Sequence, residues 1–170
     1  LAAGAGNLDL LKLLHEEEFV WHKDTCSEAS KKGHLGCLEY AHRNGCPMNT
    51  EVYINAAEHG HLACMQYAHR AGLGWHADVC SRAALHGQLE CLRFAQQNGC
   101  PWDSSTVTSA VRKDDTRCLL FALEGGCPQQ EDASNIACEL GHLECLQILY
   151  AHGGDIHWTE KTAFCATGFP

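Results

Sequence analysis

His34 and Cys37, His61 and Cys64, and His142 and Cys145 each stand three residues apart. On a helix that spacing puts an imidazole and a thiol on one face, which is half of a tetrahedral zinc site; a second pair brought in by folding would have to supply the rest. Twelve cysteines and twelve histidines in 170 residues make a metal the first hypothesis to weigh. No C-x-x-C occurs, and two-ligand fragments of this kind are loosely specific. Nucleophilic chemistry has less support. No serine or cysteine has a recurring base and orienting partner, no glycine loop has the form of a phosphate cradle, and no carboxylate pair stands apart from helix-surface charge. The chain reads as a non-enzyme without a cofactor.

The elements that must position these residues are set by a repeat. Gly6, Gly33, Gly60, Gly87 and Gly141 fall in one column, Asp114 fills the fifth slot and Gly168 opens a seventh, giving an unbroken period of 27 residues. A period of roughly 20 to 50 residues marks a solenoid or array, in which each unit buries its apolar face only against its neighbours. Residues 1–170 are therefore one array, with units anchored at Gly6, Gly33, Gly60, Gly87, Asp114 and Gly141. The chain opens on the closing residues of a unit's first helix and stops at the start of another unit. It thus reads as a piece truncated at both ends, with any flanking domains outside it.

Within a unit, the residues two, four and five after the anchor are Leu35, Cys37 and Leu38, then Leu62, Cys64 and Met65, Leu89, Cys91 and Leu92, and Leu143, Cys145 and Leu146. That spacing predicts a helix of about ten residues with one apolar face. A second glycine column, Gly45, Gly72, Gly99, Gly126 and Gly153, is placed to close it in the left-handed conformation. Pro47, Pro101 and Pro128 then enforce a turn, and Asn49/Thr50 or Asp103/Ser104 can cap a short preceding-layer helix, for example Glu51 to His59. Ala56 and Ala57, and Ala83 and Ala84, are small enough for such helices to stack closely. The first unit is degenerate, with Glu16 to Glu18 where glycine is expected, and the fifth has lost its Gly-His.

The pattern AA-x-x-GHL-x-C-L-x-Y-A-H-x-x-GCPW resembles an ankyrin repeat over the whole chain, in the shortened, Cys-rich form found in some protists and giant viruses. The resemblance implies a second helix opening at Gly-His and a first helix on the concave side. Six residues of the usual unit are missing where ankyrins build a β-hairpin, and the Thr-Pro-Leu-His signature is absent. The expected fold is therefore all-α, an α-solenoid of stacked helix-turn-helix repeats lacking the hairpin.

Repeat logic argues against metal. Cys37, Cys64, Cys91, Cys118 and Cys145 share one column. Stacked helices lie about 8 to 10 Å apart, too far to share a zinc at roughly 2.3 Å or to form a disulfide, which needs Cα atoms within about 7 Å. Cys46, Cys100 and Cys127 are followed seven residues later by Tyr53, Val107 and Ser134, while Cys26 and Cys80 are preceded at that spacing by Phe19 and Leu73, so those two columns do not coincide. Exchange with Val, Tyr, Phe and Leu is the behaviour of a space-filling position, and free cysteine acts as a small hydrophobe. Packing is the preferred reading. The alternative is a zinc-binding or redox-buffering array using His34, Cys37, His61, Cys64, His142 and Cys145, and a third reading is a passive spacer.

Net charge is −9 with no Lys/Arg cluster longer than the pair Lys31 and Lys32. The phosphate-neutralising stripe of a nucleic-acid binder is thus missing. No apolar run reaches the roughly 18 to 20 residues of a membrane span, and the composition fits an intracellular, cytoplasmic protein. That leaves an unidentified protein partner. The expected recognition surface is the outward face of successive first helices: Asp24, Ser27, Glu28 and Lys31; Glu51, Ile54, Asn55 and Glu58; Asp78, Ser81, Arg82 and Leu85; Ser105, Thr108, Ser109 and Arg112. These residues vary from unit to unit over a constant core. Trp21, Trp75 and Trp102 form a stripe expected to pack rather than bind.

Overall fold

A computed structural model describes residues 2–130 and 132–153. The proposed seventh anchor, Gly168, lies outside them. Among the described residues the chain is entirely helical and turn, with no strand. The helices run in order as α1 Leu8–Glu16, α2 Thr25–Lys31, α3 Leu35–Arg43, α4 Glu51–His59, α5 Leu62–Arg70, α6 Val79–Leu85, α7 Leu89–Gln97, α8 Ser104–Lys113, α9 Thr116–Glu124, α10 Asp132–Leu140 and α11 Leu143–Ala151.

Two layers result. The even-numbered first helices stack on one another from α2 to α10, and the odd-numbered second helices stack from α1 to α11. Within each unit α2 packs on α3, α4 on α5, α6 on α7, α8 on α9 and α10 on α11. The first-helix layer is the tighter one, because Ala29, Ala56, Ala83, Ala110 and Ala137 occupy a single fully buried column there. Leu38, Met65, Leu92 and Leu119 fill the space between the layers.

The two glycine columns end the helices as their positions predict. Gly33, Gly60 and Gly45 have φ of +74°, +76° and +86°, where a Cβ would be strained. Asp114 substitutes for an anchor glycine at φ +58°, and Glu18 takes the left-handed conformation at φ +59° in the degenerate first unit. Both are non-glycine residues held by the register of the units around them. Capping is uneven. Asp103 accepts from the Ser105 amide at 2.9 Å, and Asn49 Oδ1 accepts from the Glu51 amide at 3.2 Å, whereas Thr50 makes no side-chain cap.

The tryptophans lock turns. Trp21 Nε1 donates to the Asn44 carbonyl at 2.7 Å and Trp75 Nε1 to the Asn98 carbonyl at 2.9 Å, each tying one unit's turn to the next unit's second helix. Trp75 also stacks between Tyr53 and His69, with ring centroids 4.3 and 5.4 Å away.

Candidate interaction surface

The first-helix layer presents two rows at the period of the repeat. Asp24, Glu51, Asp78 and Ser105 form one, and Glu28, Asn55, Arg82 and Ser109 the other. Glu28, Glu51, Asp78, Arg82, Ser105 and Arg112 are exposed, and Asp24, Asn55 and Ser109 half-buried. Successive helices are cross-linked by their own surface residues. The Arg82 guanidinium lies 2.9 Å from the Glu58 carboxylate, and Asn55 Nδ2 donates to the Ser27 carbonyl at 3.2 Å. Ser27 departs from expectation. It is buried, its hydroxyl donating to the Asp24 carbonyl at 3.0 Å inside the first turn of α2, so it faces the layer rather than solvent.

The histidines that open second helices reach back one unit rather than across to a cysteine. His142 Nδ1 lies 2.7 Å from the Val111 carbonyl, and the His61 ring takes the Lys31 backbone, one position further along the preceding first helix, as its hydrogen-bond partner. His61 is held below the ordinary imidazole range, first by burial and then by His59, whose ring centroid is 6.1 Å away. None of His34, His61 and His142 caps its helix with its side chain. In the unit that lost Gly-His, Asp115 takes this slot and does cap. It accepts from the amides of Arg117 and Cys118 at 3.0 and 3.1 Å and pairs with the Arg117 guanidinium at 2.9 Å. Burial pushes its pKa up, but these bonds outweigh it and the net shift is downward.

Cys37, Cys64 and Cys145 lie in the interior, at 2%, 0% and 0% exposure. Burial raises the Cys64 thiol to about 11 and the Cys91 and Cys118 thiols to about 12. Cys145 is raised to about 12 by burial first, then by Asp114, to which its thiol donates at 3.3 Å. Among the described residues no group of three or more His, Cys, Asp or Glu side chains is placed to hold a metal ion.

Another cysteine arrangement does emerge. Cys26, on α2, stands near enough to Cys46, in the turn after α3, for the two thiols to perturb each other's titration, and Cys80 stands in the same relation to Cys100. These partners are twenty residues apart within one helix pair, so comparison at a spacing of seven does not reveal them. The signal was available in the antiparallel return: in the intervening unit the same two slots hold Tyr53 and Leu73, and the Tyr53 hydroxyl donates to the Leu73 carbonyl at 2.9 Å.

No family model matches the chain, and no curated protein matches it. Among solved structures, the ankyrin repeat domain of human ASB11 superposes with a TM-score of 0.78 at 19% identity, covering 92% of this chain and 83% of that one. The pentatricopeptide repeat protein PPR10, in complex with an 18-nt psaJ RNA element, gives a TM-score of 0.48 at 10% identity. It spans 98% of this chain, which covers 32% of its length, and at that similarity it carries no argument. No helix among the described residues is long and apolar enough to cross a membrane. With two stacked helical layers and close superposition on a solved ankyrin domain, the chain has the ankyrin-repeat fold, built here from 27-residue units.

Proposed function

We propose that the array is a protein-interaction scaffold that binds its partner through the first-helix layer and the turns preceding it, the concave side of an ankyrin solenoid, and performs no chemistry of its own. The observation that carries this reading is the contrast between columns on the same helices. The buried column Ala29, Ala56, Ala83, Ala110 and Ala137 is invariant along the array, while the exposed to half-buried column Glu28, Asn55, Arg82 and Ser109 changes charge and shape at every step. A constant frame with a varied face is what modular recognition requires. The row Asp24, Glu51 and Asp78 is acidic and the chain carries −9 net, so the partner is a protein surface bearing lysine or arginine. The same charge disfavours a polyphosphate partner.

A photo-reactive residue placed at Glu28, Arg82 or Arg112, and separately at Gln66 or Arg93 on exposed second-helix positions, tests the reading in extracts of the source cell. One cross-linked protein common to the three first-helix positions and absent from the other two supports it. The same protein captured through Gln66 and Arg93 instead moves the binding face to the other layer and refutes it.

A further inference from the structure

Residues 22, 49, 76 and 103 stand at the same slot of successive units, in the turn that leads into the first helix. Each supplies a side-chain acceptor for the backbone amide two residues on. Asn49 Oδ1 accepts from Glu51 at 3.2 Å and Asp103 Oδ1 from Ser105 at 2.9 Å. In the other two units the acceptor is an imidazole: His22 Nδ1 accepts from the Asp24 amide at 3.3 Å, and His76 Nδ1 from the Asp78 amide at 3.2 Å. An amide cannot donate to a ring nitrogen that already carries a proton, so this bond requires the neutral ring with its proton on Nε2.

The same two nitrogens have a second neighbour. His22 Nδ1 lies 3.5 Å from Asp24 Oδ2, and His76 Nδ1 lies 3.8 Å from Asp78 Oδ2. Asp24 and Asp78 stand at the caps of α2 and α6, yet neither carboxylate bonds an amide there. His22 is exposed and His76 half-buried, so solvent protons reach both rings. The other titratable or charged groups around His22 are Lys23 beside it, His15 and Glu28, which line the same groove, and the Cys46 thiol, whose sulfur lies 3.8 Å from the His22 carbonyl. At His76 the corresponding thiol is Cys100, its sulfur 3.7 Å from the His76 carbonyl. Both thiols are directed at backbone. Among the described residues no carboxylate other than Asp24 and Asp78 is within ion-pair distance of either ring.

We propose that His22 and His76 are pH-operated latches on the acidic row of the first-helix layer. With neutral rings, Nδ1 holds the turn through the backbone amide and leaves the carboxylates of Asp24 and Asp78 to a basic partner. Protonation turns Nδ1 from acceptor into donor. The amide bond is then lost, and the new N–H donates to the carboxylate beside it. The row Asp24, Glu51 and Asp78, taken with the two imidazoles, passes from three negative charges to one. Glu51, preceded in this slot by Asn49, stays outside the latch. Partner binding therefore weakens on acidification through the range in which imidazoles change charge, about pH 8 to pH 5. This regulation rests on the reading of the first-helix layer as the binding face; the exchange of hydrogen bonds does not.

The test begins with the whole chain free of ligand, its amide and imidazole nitrogens followed by NMR from pH 7.5 to pH 5.5. At pH 7.5 His22 and His76 are expected to carry their proton on Nε2. As the rings protonate, the Asp24 and Asp78 amide protons move upfield, while the Glu51 and Ser105 amides, bonded in the same slot by Asn49 and Asp103, hold still. Hexalysine is then the probe for the acidic row. On acidification its affinity for the wild type falls about fivefold further than its affinity for the double variant His22→Asn, His76→Asn, which keeps an acceptor of the kind Asn49 supplies and removes the titration. Asp24 and Asp78 amides that move no more than that of Glu51 overturn the latch, as does a ring with its proton on Nδ1 at pH 7.5. Equal losses of affinity in wild type and variant overturn the regulation. Hexalysine that perturbs Gln66 and Arg93 in place of Glu28 and Asn55 overturns it as well, through failure of the binding-face reading, and the ligand-free titration tells that failure from failure of the latch. Should the double variant fail to fold, the amide titration and the hexalysine map of the wild-type chain decide.

Discussion

A methyl group at Gly33 would lie 2.6 Å from Nδ1 of His61. The anchor glycine of one unit is thus the seat for the residue that opens the second helix of the next, in addition to adopting φ +74°. The relationship repeats with Gly6 against His34, Gly60 against Gln88 and Gly87 against Asp115. A methyl at Gly99, in the other glycine column, would meet nothing within 4 Å.

The two columns therefore differ in what they tolerate. Gly99→Ala should cost only the left-handed backbone term, about 1 kcal/mol. Gly33→Ala should cost at least about 2 kcal/mol, because it also displaces a half-buried imidazole bonded to the preceding unit. Gly60→Val should destabilise the array as well, although its first obstacle, the Gln88 amide, can swing aside. Urea titration of the three variants checks the ranking; equal losses at Gly33 and Gly99 would remove the seat from the account.

Much of this was legible in the sequence because a repeat forces the same backbone conformation at the same slot. The 27-residue period, the glycine columns, the limits of α4 and the absence of strand among the described residues all follow from that constraint. What the period conceals is how residues face one another across a helix pair. Cys26 comes near Cys46 because the chain returns antiparallel, which no column-by-column comparison registers. Ser27 turns inward because its hydroxyl finds the Asp24 carbonyl one turn back. Asn55 stands in the expected recognition row, yet its amide is spent on the Ser27 carbonyl of the neighbouring helix.

His61 carries a pH dependence with a definite sign. Its folded-state pKa lies below the ordinary value, so the folded protein favours the neutral ring. The stability it contributes is complete above the unfolded pKa of about 6.5 and declines as pH falls through the folded value. His61→Gln, which installs the side chain found at position 88 in the next unit, should abolish that part of the decline between pH 7 and pH 5 in thermal melts. A slope unchanged by the substitution would assign the effect to another group.

Asp115 acts in a lower window. Its carboxyl is held below the usual range, so its contribution is intact above about pH 4 and is lost as the pH falls through the depressed value. Asp115→Asn keeps the shape and removes the charge. The variant should be less stable than the parent at pH 7 and should converge with it near pH 2, as read by chemical denaturation at both values.

The Arg82 to Glu58 pair is partly exposed, with side-chain exposures of 45% and 20%. Pairs of that kind contribute roughly 0.2 to 1 kcal/mol. Arg82→Ala should therefore leave the melting profile almost unmoved while weakening capture of the partner, a combination that separates recognition from folding. A large loss of stability would place Arg82 in the frame instead of on the binding face.

Cys91→Ala should cost about 1 kcal/mol from lost packing, measured by denaturant titration. Elemental analysis of the purified, reduced chain, with thiols counted before and after unfolding, tests most directly the claim that the repeated cysteines and histidines are packing and stitching residues. The account predicts no stoichiometric metal, with Cys37, Cys64, Cys91, Cys118 and Cys145 unreactive until the protein unfolds. Stoichiometric zinc, with those same thiols released by a chelator, would contradict it.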